Sequence, residues 1–324
     1  MNLSLFERFN GEGLISDASL EKIKSQSGKK LFPVYWELKT ILYLGVLLLA
    51  SGLGILVYKH IDSIGHMAVL IFIAMVSAAG YFYCFRKKPA FSTTRVQSPD
   101  SFFDYILLLA SLCFIIFIGY WQYQYQIFGN RFGLASFIPM VVYFFTAYAF
   151  DHLGILSLAI TNLGAWAGIV VTPAEILKEN NFNSGTLILT GVLLGILLIL
   201  AAIVSIHKNI KTHFAFTYMN FGMNILFISC LAGLFHFDSI YLLWFLMLTG
   251  IALYFYNESI HQRSFYLLLM LTLYGYIGLS YTIIHLLFWN MESVGFYFVC
   301  LYFIASGIGL VFFLVRMNKK LKSP

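Results

Sequence analysis

Residues 185–206 read GTLILTGVLLGILLILAAIVSI, an apolar run without one charged side chain. A helix crossing a bilayer needs about 20 mostly apolar residues, so this run is long enough to span. Working outward from Gly185 to Ile206, the same pattern recurs on both sides. Toward the C-terminus it returns in Phe214 to Phe235, Ser239 to Tyr256, Ser264 to Phe288 and Val294 to Val315. Toward the N-terminus it returns in Leu38 to Tyr58, Ile64 to Phe85, Phe103 to Trp121, Phe132 to Phe150 and Leu153 to Thr172. The expected fold is all-α, a polytopic integral membrane protein of about ten transmembrane helices. The thinnest break is the one between the fourth and fifth runs, where only Asp151 and His152 interrupt the apolar sequence.

Composition leads to the same fold class. Of 324 residues, 60% are hydrophobic and 10% charged, against about 45–50% and about 25% in a typical soluble domain. Too few polar side chains remain to cover a water-soluble surface, so lipid has to be the solvent for most of the chain. The four cysteines, Cys84, Cys113, Cys230 and Cys300, all fall inside apolar runs and do not form a secreted disulfide framework. The first 36 residues are polar, with Glu7, Arg8, Glu12 and Asp17 near the start, and contain no short apolar core of a cleavable signal peptide.

Basic residues test the helix count independently, because loops left in the cytoplasm collect Lys and Arg. With the N-terminus placed inside, 17 of the 20 basic residues fall on the inner side, and only Lys59, Arg131 and Lys178 fall outside. Omitting one middle helix would move Arg316, Lys319, Lys320 and Lys322 to the outer side and spoil the pattern. The acidic residues divide nine inside and five outside, leaving about +8 on the inner face and −2 on the outer. The formal net charge of +6 is thus a topology signal. It matches basic flanks resting on anionic lipid and implies no nucleic-acid partner. Both termini are expected in the cytoplasm.

The expected organisation has three parts: an N-terminal helical hairpin over residues 1–36, a ten-helix transmembrane domain over 37–316 and a basic cytoplasmic tail over 317–324. Within the hairpin, Leu3 to Phe9 and Asp17 to Ser25 read as helices around Gly11, Glu12 and Gly13, with Ser16 placed to cap the second. A segment this short has too small a core to fold alone and needs a surface to rest on: the membrane, the rest of the chain or a cytoplasmic protein partner.

Polar residues at depth are the informative ones in a bilayer, because each costs free energy unless paired. Counting at about 1.5 Å per residue, Asn162 and Asn224 fall near the middle of their spans, with Asn220 one turn from Asn224 on the same face. Thr249 and Tyr274 fall at similar depth. These five form a candidate midplane polar site, and the competing reading is hydrogen-bond glue between helices. No Asp, Glu, Lys, Arg or His lies near any expected midplane, which argues against a proton relay through carboxylates. The outer segment WQYQYQI, residues 121–127, alternates aromatic and polar residues. An extended strand there would turn its rings to lipid and its amides to water. Trp121, Tyr123, Tyr125 and, on another outer loop, Trp289 are therefore candidates for an outer-face aromatic site or an interfacial belt.

Several further features have plain structural readings. Small residues recur at helix-packing spacing in Ala50 and Gly54, Gly164 and Gly168, and Gly191 and Gly195. Pro139 removes a backbone donor inside the fourth span and favours a bend there. His60, His66, His236 and His285 lie toward the outer face without a recognised metal-ligand spacing. Asp151 with His152, and Glu258 with His261, can each pair acid with imidazole at the inner side. No nucleophile elbow, zinc-protease signature or phosphate-binding glycine loop is present, and no cofactor or metal is implied.

The N-terminal segment carries one further pattern. A short helix precedes Gly13-Leu14-Ile15-Ser16, with Ala18 and Ile23 following. After a basic linker, the first span holds Gly45, Gly52 and Gly54. These features, over roughly the first 60 residues, resemble the bacterial predicted membrane proteins of domain of unknown function 2157. Members often have an Asn-Trp pair soon after the first span, where this chain has Tyr58-Lys59-His60-Ile61. The resemblance implies a bacterial inner membrane and assigns no activity.

Two functional classes fit these observations best. A transporter or flippase of a small or amphiphilic solute fits ten helices with an uncharged polar layer. A membrane-embedded sensor or assembly factor fits the N-terminal hairpin as a docking element. An intramembrane enzyme ranks last, because no convergent acid, base or metal set is visible.

Overall fold

The computed structural model describes residues 3–12, 14–21, 35–171, 184–287 and 293–322. Among them there is no strand. Hydrocarbon offers no partner for an unpaired N–H or C=O, and a helix satisfies both within one segment. The helices are α1 (Leu3–Gly11), α2 (Tyr35–Ile64), α3 (His66–Lys87), α4 (Ser101–Tyr125), α5 (Gly133–Phe150) and α6 (Leu153–Val171). They continue as α7 (Gly185–His207), α8 (Ala215–His236), α9 (Tyr241–His261), α10 (Phe265–Leu287) and α11 (Ser293–Lys322). Among the described residues, nine helices, α3 to α11, are long and apolar enough to cross a membrane. The expected first span lies on α2, whose apolar stretch is Thr40–Ile55. The protein is an all-α, polytopic membrane protein. Trp289, Lys178 and the last part of the expected helix from Asp17 to Ser25 lie outside the described residues.

Met1–Ile55 and Leu56–Pro324 are two compact units. In the first, α1 is followed by a turn and a helical segment over residues 17–21. The Asn10 amide donates to the Ile15 carbonyl at 3.1 Å and to the Asp17 carboxylate at 2.9 Å. Ser16 Oγ accepts from the Ser19 N–H at 3.3 Å, the bond of a helix N-cap.

In the second unit, consecutive helices run up and down. The α3–α4, α5–α6 and α7–α8 connections meet at one end, where Lys211 N donates to the Thr93 carbonyl at 2.7 Å and Val96 N donates to Asp151. Gln262, in the α9–α10 turn, contacts Met219 near the start of α8 at 3.5 Å and so belongs to that end too. At the opposite end His66 meets Tyr120, and Gly185 packs against Phe237. The first end carries Arg86, Lys87, Lys88, Arg95, Lys208, Lys211 and Arg263 and is hereafter the basic end. Up to α10, the described basic residues elsewhere in this unit are Lys59, near the α2–α3 turn, and Arg131.

The core is built around α8, which buries Tyr218, Met219, Met223, Phe227, Cys230 and Leu234. Its closest neighbour is α7, and glycine makes that approach possible. A Cβ at Gly195 would stand 3.1 Å from the Gly222 carbonyl oxygen and 3.0 Å from Leu226 N, and one at Gly222 would stand 3.0 Å from the Gly195 carbonyl. Gly191 packs on Ser229 in the same seam. The Gly191/Gly195 spacing therefore has a structural use, whereas among the described residues nothing stands within 4 Å of a Cβ at Gly54. Pro139 is buried inside α5, and the helix runs on through it to Phe150. The connection expected to be thinnest is sharp: Asp151 adopts φ 58°, ψ 41°, and donates its N–H to the Ala147 carbonyl, closing α5. His152 then opens α6, its Nδ1 accepting from the Ile155 N–H at 3.1 Å.

Enlarging Gly195 must push backbone against backbone. Gly195→Val is expected to destabilise the fold by about 1–3 kcal/mol, the usual range for overpacking. Gly250→Ala, where a Cβ meets nothing within 4 Å, should leave the melting temperature in detergent at or slightly above that of the parent; equal melting of the two variants would contradict the glycine seam.

Candidate functional site

Three groups of residues bear on function: the polar residues at mid-depth, a charged cluster at the basic end and two crevices between helices. The midplane candidates separate into one network and two isolated residues. On α8, Asn224 Nδ2 donates to the Asn220 backbone carbonyl at 2.8 Å and to its side-chain oxygen at 2.9 Å. From α10, Tyr274 donates to Asn224 Oδ1 and Tyr266 donates to Asn220 Oδ1, both at 2.8 Å. The result is a two-rung ladder joining α8 to α10. The sequence position of Tyr266 marks it only as an interfacial aromatic; its i, i+8 spacing to Tyr274, which keeps both on one side of the helix, is the signal that points to it. Asn162, buried in α6, donates to the Leu158 carbonyl of its own helix at 2.8 Å, and Thr249 does the same with Phe245 at 2.8 Å.

The charged cluster was only half visible in the sequence. Asp151 accepts from Lys211 Nζ at 3.1 Å and pairs with His213 Nε2 at 2.7 Å; the Asp151 and Lys211 side chains are 3% and 1% exposed. Its second oxygen takes the Val96 N–H. Lys211 has φ 49°, donates Nζ to the Thr94 carbonyl at 3.3 Å and lies over the Phe91 ring. One carboxylate thus pins the 88–100 segment and the α7–α8 connection to the α5–α6 corner. His152 Nε2 faces Asp104 at 3.9 Å. Glu258 accepts from Gln262 at 2.6 Å.

At the opposite end, the expected extended segment is helical as far as Tyr125. Gln126 caps α4 in the left-handed region at φ 48°. Gln122 turns inward, only 3% exposed, accepting from Phe128 N at 2.9 Å and donating to the Gly129 carbonyl at 2.8 Å. A helix pairs the backbone at this depth, where a lone strand would leave it open. Trp121 packs on Phe117 at 5.1 Å between ring centroids, and Tyr123 is 81% exposed, so the rings point in different directions. Among the described residues, no group of three or more His, Cys, Asp or Glu is placed to hold a metal ion.

Among the described residues, two crevices are lined mostly by apolar side chains and open to the side. A crevice of about 450 Å³ lies between α3, α4 and α5, with Ala74, Ser77, Ala78, Tyr81 and Phe85 contributing one face of α3. Phe114, Phe117, Val142, Phe145 and Thr146 complete it. Its hydroxyls are engaged: Ser77 donates to the Ala110 carbonyl at 2.9 Å, Tyr81 meets Ser111 at 2.9 Å and Thr146 donates to the Val142 carbonyl at 2.6 Å. Along α3 the crevice runs from mid-depth to Phe85, beside the basic end. A second crevice, of about 270 Å³, is lined by Gly164 and Gly168 of α6, Leu187 and Gly191 of α7, and Ile225 and Ser229 of α8. Counted along these helices, it lies in the half away from the basic end. Neither crevice is lined by Asn162 or Asn224.

The N-terminal part of the chain, through α5, matches a known family. Residues 7–156 match the family model described as Predicted membrane protein (DUF2157). The likeness seen in the first 60 residues is borne out, and it extends into the first turn of α6. The matched stretch takes in the whole first crevice and Asp151, but not Lys211 or His213. No curated protein and no solved structure matches the chain.

Removing one partner of a buried ion pair strands the other charge, which typically costs about 3–5 kcal/mol. Lys211→Met and Asp151→Leu are each expected to lower thermal stability in detergent strongly, and the double variant to recover much of the loss. Additive losses in a double-mutant cycle would show that the two charges do not interact. Tyr274→Phe removes one interhelical hydrogen bond and should cost far less, about 0.6–2 kcal/mol.

Proposed function

We propose that the protein is a transporter of the flippase type, a facilitator that moves an amphiphilic, lipid-like solute across the cell membrane with its basic end in the cytoplasm. One observation carries this reading: the two crevices are apolar and open sideways, the first reaching from beyond mid-depth to the basic end and the second lying in the half away from it. The polar residues at mid-depth favour an amphiphile over a water-soluble solute. Asn162, Asn220, Asn224, Thr249 and Tyr274 all make hydrogen bonds to protein partners, which supports a packing role over the lining of a hydrated path. A side-opening apolar crevice takes its ligand directly from lipid.

A second reading, a membrane-embedded sensor or assembly factor, is favoured by the internal bonding of the N-terminal hairpin, where Asn10 ties α1 to Ile15 and Asp17. It places a cytoplasmic protein partner on that hairpin.

Full-length protein reconstituted into vesicles with a headgroup-labelled fluorescent phospholipid separates the two. The transporter reading expects the fraction of label open to a membrane-impermeant quencher to rise above that of protein-free vesicles, and Ala78→Phe, which fills the first crevice, to slow the change severalfold. Quenching indistinguishable from protein-free vesicles would refute transport. Loss of cellular function on deleting residues 1–30, with insertion and lipid movement intact, would favour the second reading.

A further inference from the structure

The first crevice ends beside two cations that no acid among the described residues answers. The Lys88 ammonium lies 5.1 Å from the centroid of Phe85, a crevice residue, and 5.9 Å from that of Phe150. The Arg86 guanidinium lies 4.6 Å over the Phe82 ring. Both residues are exposed, and among the described residues neither has a carboxylate partner.

Neighbouring charges are otherwise engaged. Lys87 donates to Tyr83 at 2.7 Å and faces Asp100 at 3.8 Å, and Lys211 is buried against Asp151. Asp100 caps α4 through the Phe103 N–H at 2.7 Å, and Asp104 accepts from Ser98 and faces His152. The acids close to Lys88 and Arg86 are therefore committed elsewhere. A ring face offsets only part of a cation's charge, so both remain attractive to an anion.

Dimensions point to the kind of anion. From Ala74 to Phe85 the crevice follows α3 for about 16 Å, close to half of a ~30 Å hydrocarbon core. An apolar slot one leaflet deep, with cations at its polar end, matches a single acyl chain carrying a negatively charged headgroup.

We infer that the crevice between α3, α4 and α5 binds a phospholipid with an anionic headgroup, its chain along Ala78 and Tyr81 and its phosphate at Lys88, with Arg86 alongside. This rests on the reading that the crevice takes an amphiphile, and not on that amphiphile being moved.

The test uses the full chain in nanodiscs of equal parts phosphatidylglycerol and phosphatidylcholine, with lipids retained after transfer to detergent counted by native mass spectrometry. The parent is expected to retain phosphatidylglycerol preferentially. Lys88→Gln and Arg86→Gln should each lower that preference by about fivefold, the effect of one basic residue at an anionic surface. Lys87→Gln, whose cation is already engaged, should leave it unchanged, and Ala78→Phe should reduce retention of both lipids. An unchanged preference in the Lys88→Gln/Arg86→Gln double variant, with its melting temperature that of the parent, would overturn the site. Preference lost in the double variant while the parent moves no labelled lipid would uphold this site and refute the transport reading.

Discussion

Water is absent where most of this chain resides, and every polar group at depth must find its partner within the protein. That constraint explains why a chain so rich in apolar residues still has one arrangement. Apolar side chains gain little by touching one another rather than lipid, so helix pairing depends on close backbone approach and on hydrogen bonds. Both devices are present. Gly195 and Gly222 bring α7 and α8 into backbone contact. The asparagines of α8 and the tyrosines of α10 form the ladder that fixes those two helices in register. Farther along α10, Tyr276 with Ser306 and Ser280 with Tyr302 repeat the device toward α11, at 2.9 and 3.0 Å.

Charge obeys the same rule at the bundle's end. Asp151 sits at a two-residue corner between α5 and α6, where a left-handed backbone exposes its carboxylate to two other connections. Lys211 and His213 answer it from the α7–α8 connection, and the Val96 N–H answers it from the α3–α4 connection. Three connections far apart in sequence are thus tied at one point. This tie joins the ends of α3, α4 and α5, beside the Phe85 end of the first crevice.

What the packed polar groups leave over is apolar space. The hydroxyls around the first crevice are turned to backbone carbonyls or to each other, so its open surface presents mostly carbon. On the proposed reading, a ligand there would be selected by its chain inside the crevice and by its charge at the rim, where Lys88 and Arg86 rest on aromatic rings. The proposed lipid binding rests on this division of labour between an uncharged interior and a charged edge.

The sequence by itself determined that the chain is helical and membrane-spanning, where most helices begin and end, and that basic residues gather at alternate connections. These are local or one-dimensional properties: segment length, hydropathy and the order of loops. It also marked Asn220, Asn224 and Tyr274, because polarity at mid-depth is legible from position alone. Tertiary structure decided which of the marked residues meet. Asn224 meets Tyr274, whereas Asn162 turns back on its own helix. Tertiary structure also decided that Asp151 faces Lys211, 60 residues on, and that residues 121–125 continue α4 instead of forming a strand. Helical rotation and neighbour identity set these outcomes, and hydropathy is blind to both. The crevices were invisible for the same reason: empty space between three helices belongs to none of their sequences, and only their packing creates it.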